Sequence, residues 1–274
     1  MKVELLEITP ELAQDYLDRN DGNRSIASAV VDKYARDIVA DRWVLNGQTV
    51  KIGATGRLLD GQHRCAAVLK AGKSCKAFVV TGLDESVFDT FDLGARRSLA
   101  DILIDKKEHN TSTLAAALRQ LWLIDNGYVQ ARNVAPTVGE LLDVLDRHSA
   151  IRESVRLSHK IRDVIATSYG SALHYLFSRV APAKADEFFE GLAEGSMLPL
   201  DSPILKLRNL LLKDRGSKKR TMSDHERIAI TIKAWNAFFT DQALAALKWQ
   251  KTGPRKEAFP RISQLELTCY AEAA

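Results

Sequence analysis

The stretch from Leu58 to Leu69, LLDGQHRCAAVL, places a short apolar strand, a glycine and a helical run directly after one another. Such a turn favours anion binding, because the first backbone N–H groups of the helix and the positive end of its dipole point at the ligand. Gly61 lets the backbone approach a ligand closely. Arg64 adds a planar guanidinium that fits phosphate oxygens. The stretch therefore predicts a phosphate-binding site.

The other polar side chains of this turn leave several roles open. Asp60 is able to hold Mg²⁺, to act as a base or simply to cap the helix. Gln62 and His63 offer hydrogen bonds, and histidine is the side chain that titrates near neutral pH. Asp60 and His63 are thus the catalytic candidates. The structural alternative is that Asp60 caps, His63 is an ordinary polar residue and Arg64 pairs with a surface carboxylate.

The same stretch, preceded by Asn46-Gly47 and followed by a strand at 76–81, resembles the ParB/sulfiredoxin superfamily. Within it, the chain is similar to the D-G-Q-H-R branch, which includes phage-borne and DNA-modification-associated proteins. ParB relatives carry G-E-R-R at this position and hold a nucleoside triphosphate, and sulfiredoxins carry G-C-H-R and hold ATP. The resemblance spans residues 1–105 and implies that Gly61, His63 and Arg64 contact phosphates.

The resemblance further implies that ATP or CTP binds together with Mg²⁺, with Asp60 as the metal ligand. Gln62 stands where sulfiredoxins have their reactive cysteine, which argues against sulfinic-acid reduction. Cys65 lies three residues later, and we expect it in the core as a small apolar residue.

Further nucleotide contacts are expected from Arg24, Asn46 and Arg97. Arg24 precedes the first long helix, and the resemblance implies that this region lies near the nucleotide. Arg97 belongs to Phe91–Asp101 (FDLGARRSLAD), where a glycine and two arginines offer a second anion contact. An interdomain turn with a salt bridge is the alternative. Trp43 is expected in the core, with base stacking as its other role.

Composition limits the class of protein. Hydrophobic residues make up 46% of the 274 residues and charged residues 27%, as in globular proteins. No apolar run reaches the roughly 18 residues of a membrane span, and the first residues lack a signal-peptide core. Three scattered cysteines indicate neither a disulfide framework nor a zinc site. We therefore expect a cytoplasmic protein with no membrane partner.

Charge divides the chain unevenly. The net charge of +4 combines −2 for residues 1–105 with +6 for 106–274. Residues 201–256 hold 13 Lys/Arg and five Asp/Glu, a local charge of +8. Such a cluster is typical of nucleic-acid binding, although many charged runs are only solvated surface. The candidate DNA contacts are Lys213, Arg215, Lys218, Lys219 and Arg220.

Periodicity predicts an α+β protein. The expected organisation is a small ParB/sulfiredoxin-like α/β domain with a mixed sheet over 1–105 and an all-helical domain over 106–274. Strands are expected at 3–8, 49–52, 57–59 and 76–81, and helices at 10–17, 26–41, 61–71 and 84–91. In the second domain, helices are expected near 111–126, 137–147, 150–163, 170–180, 184–194, 202–214, 223–238 and 241–248. Capping boxes are expected at 137–140 and 223–226.

These features favour a nucleoside-triphosphate-binding protein that acts on or near DNA, as an NTPase or a nucleotide-controlled switch. One alternative is an ATP-dependent kinase of a small molecule or a modified base, with Asp60 as the base. Another is a non-catalytic DNA-binding or scaffold protein. The sequence leaves the nucleotide and the oligomeric state open, a homodimer included.

Overall fold

A computed structural model describes residues 1–23, 25–90, 98–131, 134–217, 222–254 and 256–267. The chain forms two compact units. The first comprises Met1–Arg97 together with Asn133–Glu140, and the second comprises Ser98–Arg132 together with Leu141–Ala274. The boundary expected from the sequence lies at residue 105. In the structure, the stretch 98–105 belongs to the second unit and 133–140 to the first.

The first unit contains a four-stranded mixed sheet, and the protein is of the α+β class. Its strands are β1 (Lys2–Ile8), β2 (Thr49–Gly53), β3 (Leu58–Asp60) and β4 (Cys75–Leu83), in the spatial order β1-β4-β2-β3. The β1–β4 and β2–β3 pairs are antiparallel, whereas β2 and β4 are parallel. The four predicted strands are confirmed.

Three helices cover one face of this sheet: α1 (Pro10–Asp18), α2 (Ser28–Val39) and α3 (Gln62–Ala71). Along β4, Cys75, Ala77 and Val79 are buried and alternate with more exposed residues, as expected for a sheet with one covered face. Cys65 and Val68 of α3 join the same core. The predicted core position of Cys65 is confirmed.

The described part of the second unit contains helices and no strand. They are α4 (Leu99–Asp105), α5 (Thr111–Asp125), the greater part of α6 (Val138–Arg147), α7 (Ile151–Leu157), α8 (Thr167–Ser178), α9 (Pro182–Glu194), α10 (Pro203–Gly216) and α11 (Asp224–Phe239). Every residue of α8 from Tyr169 to Phe177 is buried, so α8 is the central helix. Trp235 of α11 stacks on Phe177, with ring centroids 4.4 Å apart. Trp235 is fully buried.

Three helix predictions need correction. The segment predicted as a helix over 84–91 is a 3₁₀ helix, Glu85–Thr90, entered through an Asp84 carboxylate that accepts from the Ser86 N–H at 2.9 Å. The predicted helix over 150–163 is α7 followed by a 3₁₀ turn, Ser158–Ile161. No helix forms over 241–248, because Asp241 takes a left-handed conformation with φ of +53° and ends the preceding helix.

Both predicted capping boxes form. The Thr137 N–H donates to the Glu140 carboxylate at 2.6 Å, and the Glu140 N–H donates to the Thr137 hydroxyl at 3.1 Å. Ser223 and Glu226 make the corresponding reciprocal pair at the start of α11. These side chains satisfy N–H groups that a helix end otherwise leaves without partners.

Candidate functional site

The motif turn joins β3 to α3 through Gly61. Its φ of +107° lies in the region that favours glycine. A Cβ atom built there would lie 3.1 Å and 3.2 Å from the two Cγ atoms of Val50 and 3.3 Å from its Cα. Gly61 is therefore required for the close packing of the turn against β2.

Asp60 faces a cation across the β2–β3 pair. Its Oδ2 lies 2.6 Å from the Lys51 Nζ, and the two residues are register partners in the sheet. The N-cap position of α3 belongs to Gly61, so the helix-capping role considered for Asp60 does not apply. The carboxylate is a partner in a half-buried ion pair.

Gln62 and His63 hold the loop that follows α1. The Asn20 side-chain amide donates to Gln62 Oε1 at 3.0 Å, and the Ala27 N–H donates to His63 Nε2 at 3.0 Å. His63 Nε2 therefore carries no hydrogen in this arrangement. In the same loop Asn23 donates to the Leu58 carbonyl at 2.6 Å. These motif residues fasten the loop to the start of α3.

Arg64 lines a cavity together with the predicted site residue Asn46. Its guanidinium donates to the Thr49 carbonyl and, at 3.1 Å, to Gln48 Oε1. The Asn46 Oδ1 accepts from the Gln48 N–H at 3.1 Å, which shapes the turn before β2. The cavity has a volume of about 190 Å³. Two residues 18 positions apart in the sequence thus meet at one site.

Basic and aromatic side chains both line the cavity. Arg42, Arg64 and Lys76 supply three cations, and Asp37 supplies the single carboxylate. Trp43 joins them and donates through its indole N–H to the Lys76 carbonyl at 3.0 Å. This composition suits an anion that carries an aromatic ring.

An ion-pair network fixes one end of this cavity. Arg42 Nε lies 3.1 Å from Asp37 Oδ1, and Thr137 donates to the same oxygen at 2.9 Å. Arg36 pairs with the buried Glu140 at 2.8 Å. The segment 134–140 is thereby attached to α2 within the first unit.

Five predicted site residues lie outside the described residues: Arg24, Arg97, Lys218, Lys219 and Arg220. Asn46 and Arg64 share the cavity, whereas Asp60, Gln62 and His63 make the contacts described above. Sequence reasoning missed Arg42 and Lys76, because neither belongs to a motif. Trp43 packs against the core, as expected, and also lines the cavity.

A protein-held Mg²⁺ site does not fit the residues around the turn. Asp60 offers one carboxylate, and Lys51 already neutralises it at 2.6 Å. Across the ranges that the structure describes, no three His, Cys, Asp or Glu side chains form a metal-binding group. Magnesium prefers several oxygen ligands, which a nucleotide's phosphates supply. Any Mg²⁺ would therefore enter with the ligand.

The two cysteines near the motif are poor nucleophiles. Burial raises the pKa of Cys65 to about 12 and that of Cys75 to about 11. Both thiols are buried. Thiolate is the reactive form, so these side chains act as apolar core residues.

The candidate DNA contacts are described at Lys213 and Arg215. Lys213 is exposed, whereas Arg215 donates to the Arg162 carbonyl at 2.6 Å. Next to them, Asp214 forms a buried ion pair with Arg227, at 2.6 Å between Oδ2 and Nη2. Asp214 also accepts from the Met222 N–H at 3.0 Å. The ion pair thus anchors the residues that flank 218–221.

A Ser–His–Asp chain in the second unit was not anticipated from the sequence. Ser154 Oγ lies 2.8 Å from His174 Nδ1, and His174 Nε2 lies 3.0 Å from Asp186 Oδ1. Ser154 is buried within α7, and the adjoining cavity measures only about 40 Å³. With little room for a substrate, the chain serves to tie α7, α8 and α9 together.

Within the described ranges, none of the helices combines the length and the apolar character needed to cross a bilayer. Comparisons with protein-family models, characterised proteins and solved structures gave no match. The resemblance of the motif to the ParB/sulfiredoxin superfamily therefore stays a prediction.

Proposed function

We propose that the first unit binds a nucleoside triphosphate in the cavity beside Arg64 and that the protein works as a nucleotide-controlled switch on or near DNA. The observation that carries this proposal is the convergence of Arg64 and Asn46 with Arg42, Lys76 and Trp43 around one cavity. The motif resemblance supports the same ligand class.

The charges favour a phosphate-bearing ligand. Three cations against one carboxylate leave the cavity positive, and Lys76 is exposed and free to turn towards an anion. Within the described residues, no carboxylate lies within ion-pair distance of Lys76. Arginine and lysine bind phosphate by charge-assisted hydrogen bonds, each contributing about 1.5–3 kcal/mol.

The aromatic residues that line the cavity favour a nucleotide over free phosphate. Trp43 meets Tyr34 edge to face, with ring centroids 5.8 Å apart. Stacking of a base on an aromatic side chain is worth about 1–3 kcal/mol. The volume of about 190 Å³ is below the roughly 300–1,000 Å³ of sites that enclose a whole ligand. We therefore propose that part of the nucleotide extends out of the cavity.

The contacts of the motif favour binding and switching over phosphate transfer. A kinase would need Asp60 as a base, yet this carboxylate pairs with Lys51. His63 accepts the Ala27 N–H, so its Nε2 is occupied as well. Both side chains hold local structure. We therefore favour a ligand-dependent rearrangement of the loop that follows α1 over phosphate transfer.

The DNA part of the proposal rests on the basic segment around Lys213. Retention on duplex DNA should fall steeply as salt rises, because counterion release drives such binding. Neutralising Lys213, Lys218 and Lys219 should reduce that salt dependence. If these substitutions leave the salt dependence of DNA retention unchanged, the proposed DNA binding is refuted.

Calorimetric titration with ATP, CTP and GTP, each with and without Mg²⁺, tests nucleotide binding. Lys76→Ala should weaken the preferred nucleotide by about 10–100-fold, equivalent to one lost charge-assisted contact. Lys33→Ala removes the same charge from α2, away from the cavity lining, and should leave affinity unchanged. Absence of binding to any nucleotide, or equal effects of the two substitutions, would refute the proposal.

A further inference from the structure

A cavity of about 530 Å³ lies in the helical unit. It is bounded by α9, the loop 195–202, the start of α10 and the end of α11. We call it the α9 groove. Its volume falls within the roughly 300–1,000 Å³ typical of ligand sites. It shares no residue with the cavity beside Arg64.

Three large apolar side chains line the α9 groove, and we call them its floor. They are Leu198, Ile204 and Phe238. On the loop beside it, Met197 is 100% exposed and Leu200 is 89% exposed. Single exposed apolar residues are ordinary, but here two flank an apolar groove on one short loop. Methionine adapts to varied partner surfaces, so this loop suits contact with a peptide.

Acidic side chains also line the α9 groove. Glu187, Glu190 and Glu194 follow one another at three- and four-residue spacing and so project from one side of α9. Asp201 faces the groove as well. Throughout the described ranges, no cationic side chain lies within ion-pair distance of these four carboxylates. These like charges repel one another and destabilise the helix.

The remaining carboxylate of the groove forms an exposed ion pair. Asp241 lies 3.5 Å from the Lys184 Nζ, which also contacts the Phe239 carbonyl at 3.1 Å. The groove as a whole is therefore strongly negative, although the chain has a net charge of +4. A nucleic acid would be repelled here, and an apolar ligand without cations would leave the carboxylates uncompensated.

We propose that the α9 groove docks a basic amphipathic peptide segment of a partner protein. Its apolar side chains enter the floor formed by Leu198, Ile204 and Phe238, and its Lys or Arg side chains face the carboxylates. Helix-in-groove recognition places the apolar face of an amphipathic helix in an apolar groove. The proposal is independent of nucleotide binding by the first unit.

Fluorescence anisotropy with a labelled Lys/Leu amphipathic peptide of about 14 residues, about four helical turns, tests this docking. Binding should weaken with added salt, as expected for exposed ion pairs. The triple variant Glu187→Gln, Glu190→Gln, Glu194→Gln should lose about tenfold in affinity, the combined effect of three exposed ion pairs. The double variant Met197→Ser, Leu200→Ser should also weaken binding. Because both residues are exposed, this variant should retain the fold.

A matched control removes the same charge elsewhere. The control triple variant changes three exposed acids of the helical unit that lie outside the groove, by Asp146→Asn, Asp163→Asn and Glu266→Gln. It should keep the wild-type affinity. Equal losses in both triple variants would overturn the proposal, because the attraction would then be non-specific. Equal binding of a Lys/Ser peptide or of spermine would also overturn it, since apolar side chains would then play no part.

Discussion

Replacing Gly61 by Ala is expected to destabilise the first unit far more than the same change at Gly72. At Gly61, φ of +107° imposes a backbone cost of about 1–3 kcal/mol on an L residue. The new Cβ also meets Val50, including its Cα at 3.3 Å, and such overpacking costs about 1–3 kcal/mol. The two effects together predict a loss of about 2–6 kcal/mol.

Gly72 provides the control at the other end of α3. Its φ is +59°, and nothing lies within 4 Å of an added Cβ. Gly72→Ala should therefore cost only the backbone contribution, about 1–2 kcal/mol. Hydrogen exchange of amides in β2 and α3, read by mass spectrometry, measures the local free energy of opening in each variant. A loss at Gly72 equal to or larger than that at Gly61 would refute the packing of the motif turn against Val50.

Four further predictions concern buried groups. Asp214→Asn should cost about 3–5 kcal/mol in urea unfolding, because it leaves the Arg227 guanidinium buried without its carboxylate. Asp224→Asn removes the other partner of Arg227, which is 72% exposed, and should cost less than about 1 kcal/mol. Equal costs of Asp214→Asn and Asp224→Asn would contradict the buried pair. Ser154→Ala should cost about 1–3 kcal/mol, because His174 loses a buried partner, whereas exposed Ser149→Ala should cost nothing measurable. Because the pKa of Cys65 is raised to about 12, its iodoacetamide reaction at pH 8 should require unfolding, and rapid native alkylation would contradict its burial. The same shift means that Cys65 alone should lower the free energy of unfolding by about 1.4 kcal/mol per pH unit between about pH 9 and 12, since the unfolded thiol ionises first. Cys75 should add to this loss up to about pH 11.

Local chemistry made the strands and the three α-helices of the first unit predictable. The Asn46-Gly47 turn and the left-handed Gly72 mark element ends in the sequence, and the period of apolar residues distinguishes strand from helix. The order β1-β4-β2-β3 depends on contacts distant in the sequence. The absent helix over 241–248 had suitable residues, but Asp241 turns the chain left-handed at the end of α11.

The candidate site was predictable only where a motif marked it. Gly61 and Arg64 stand out because their types suit a phosphate turn. Lys76 became part of the site because β4 runs parallel to β2, a pairing that the sequence alone does not specify. Arg42 and Trp43 follow α2 with no distinguishing spacing. The ion pair of Asp60 with Lys51 depends on the β2–β3 register, which local patterns leave undetermined.

A crystal structure of the protein with a non-hydrolysable analogue of the preferred nucleotide tests nucleotide binding most directly. We predict phosphate density within hydrogen-bond distance of Arg64 and Lys76, with the base against Trp43. Density confined to another surface, or no density at a nucleotide concentration well above the measured Kd, would contradict the proposed site.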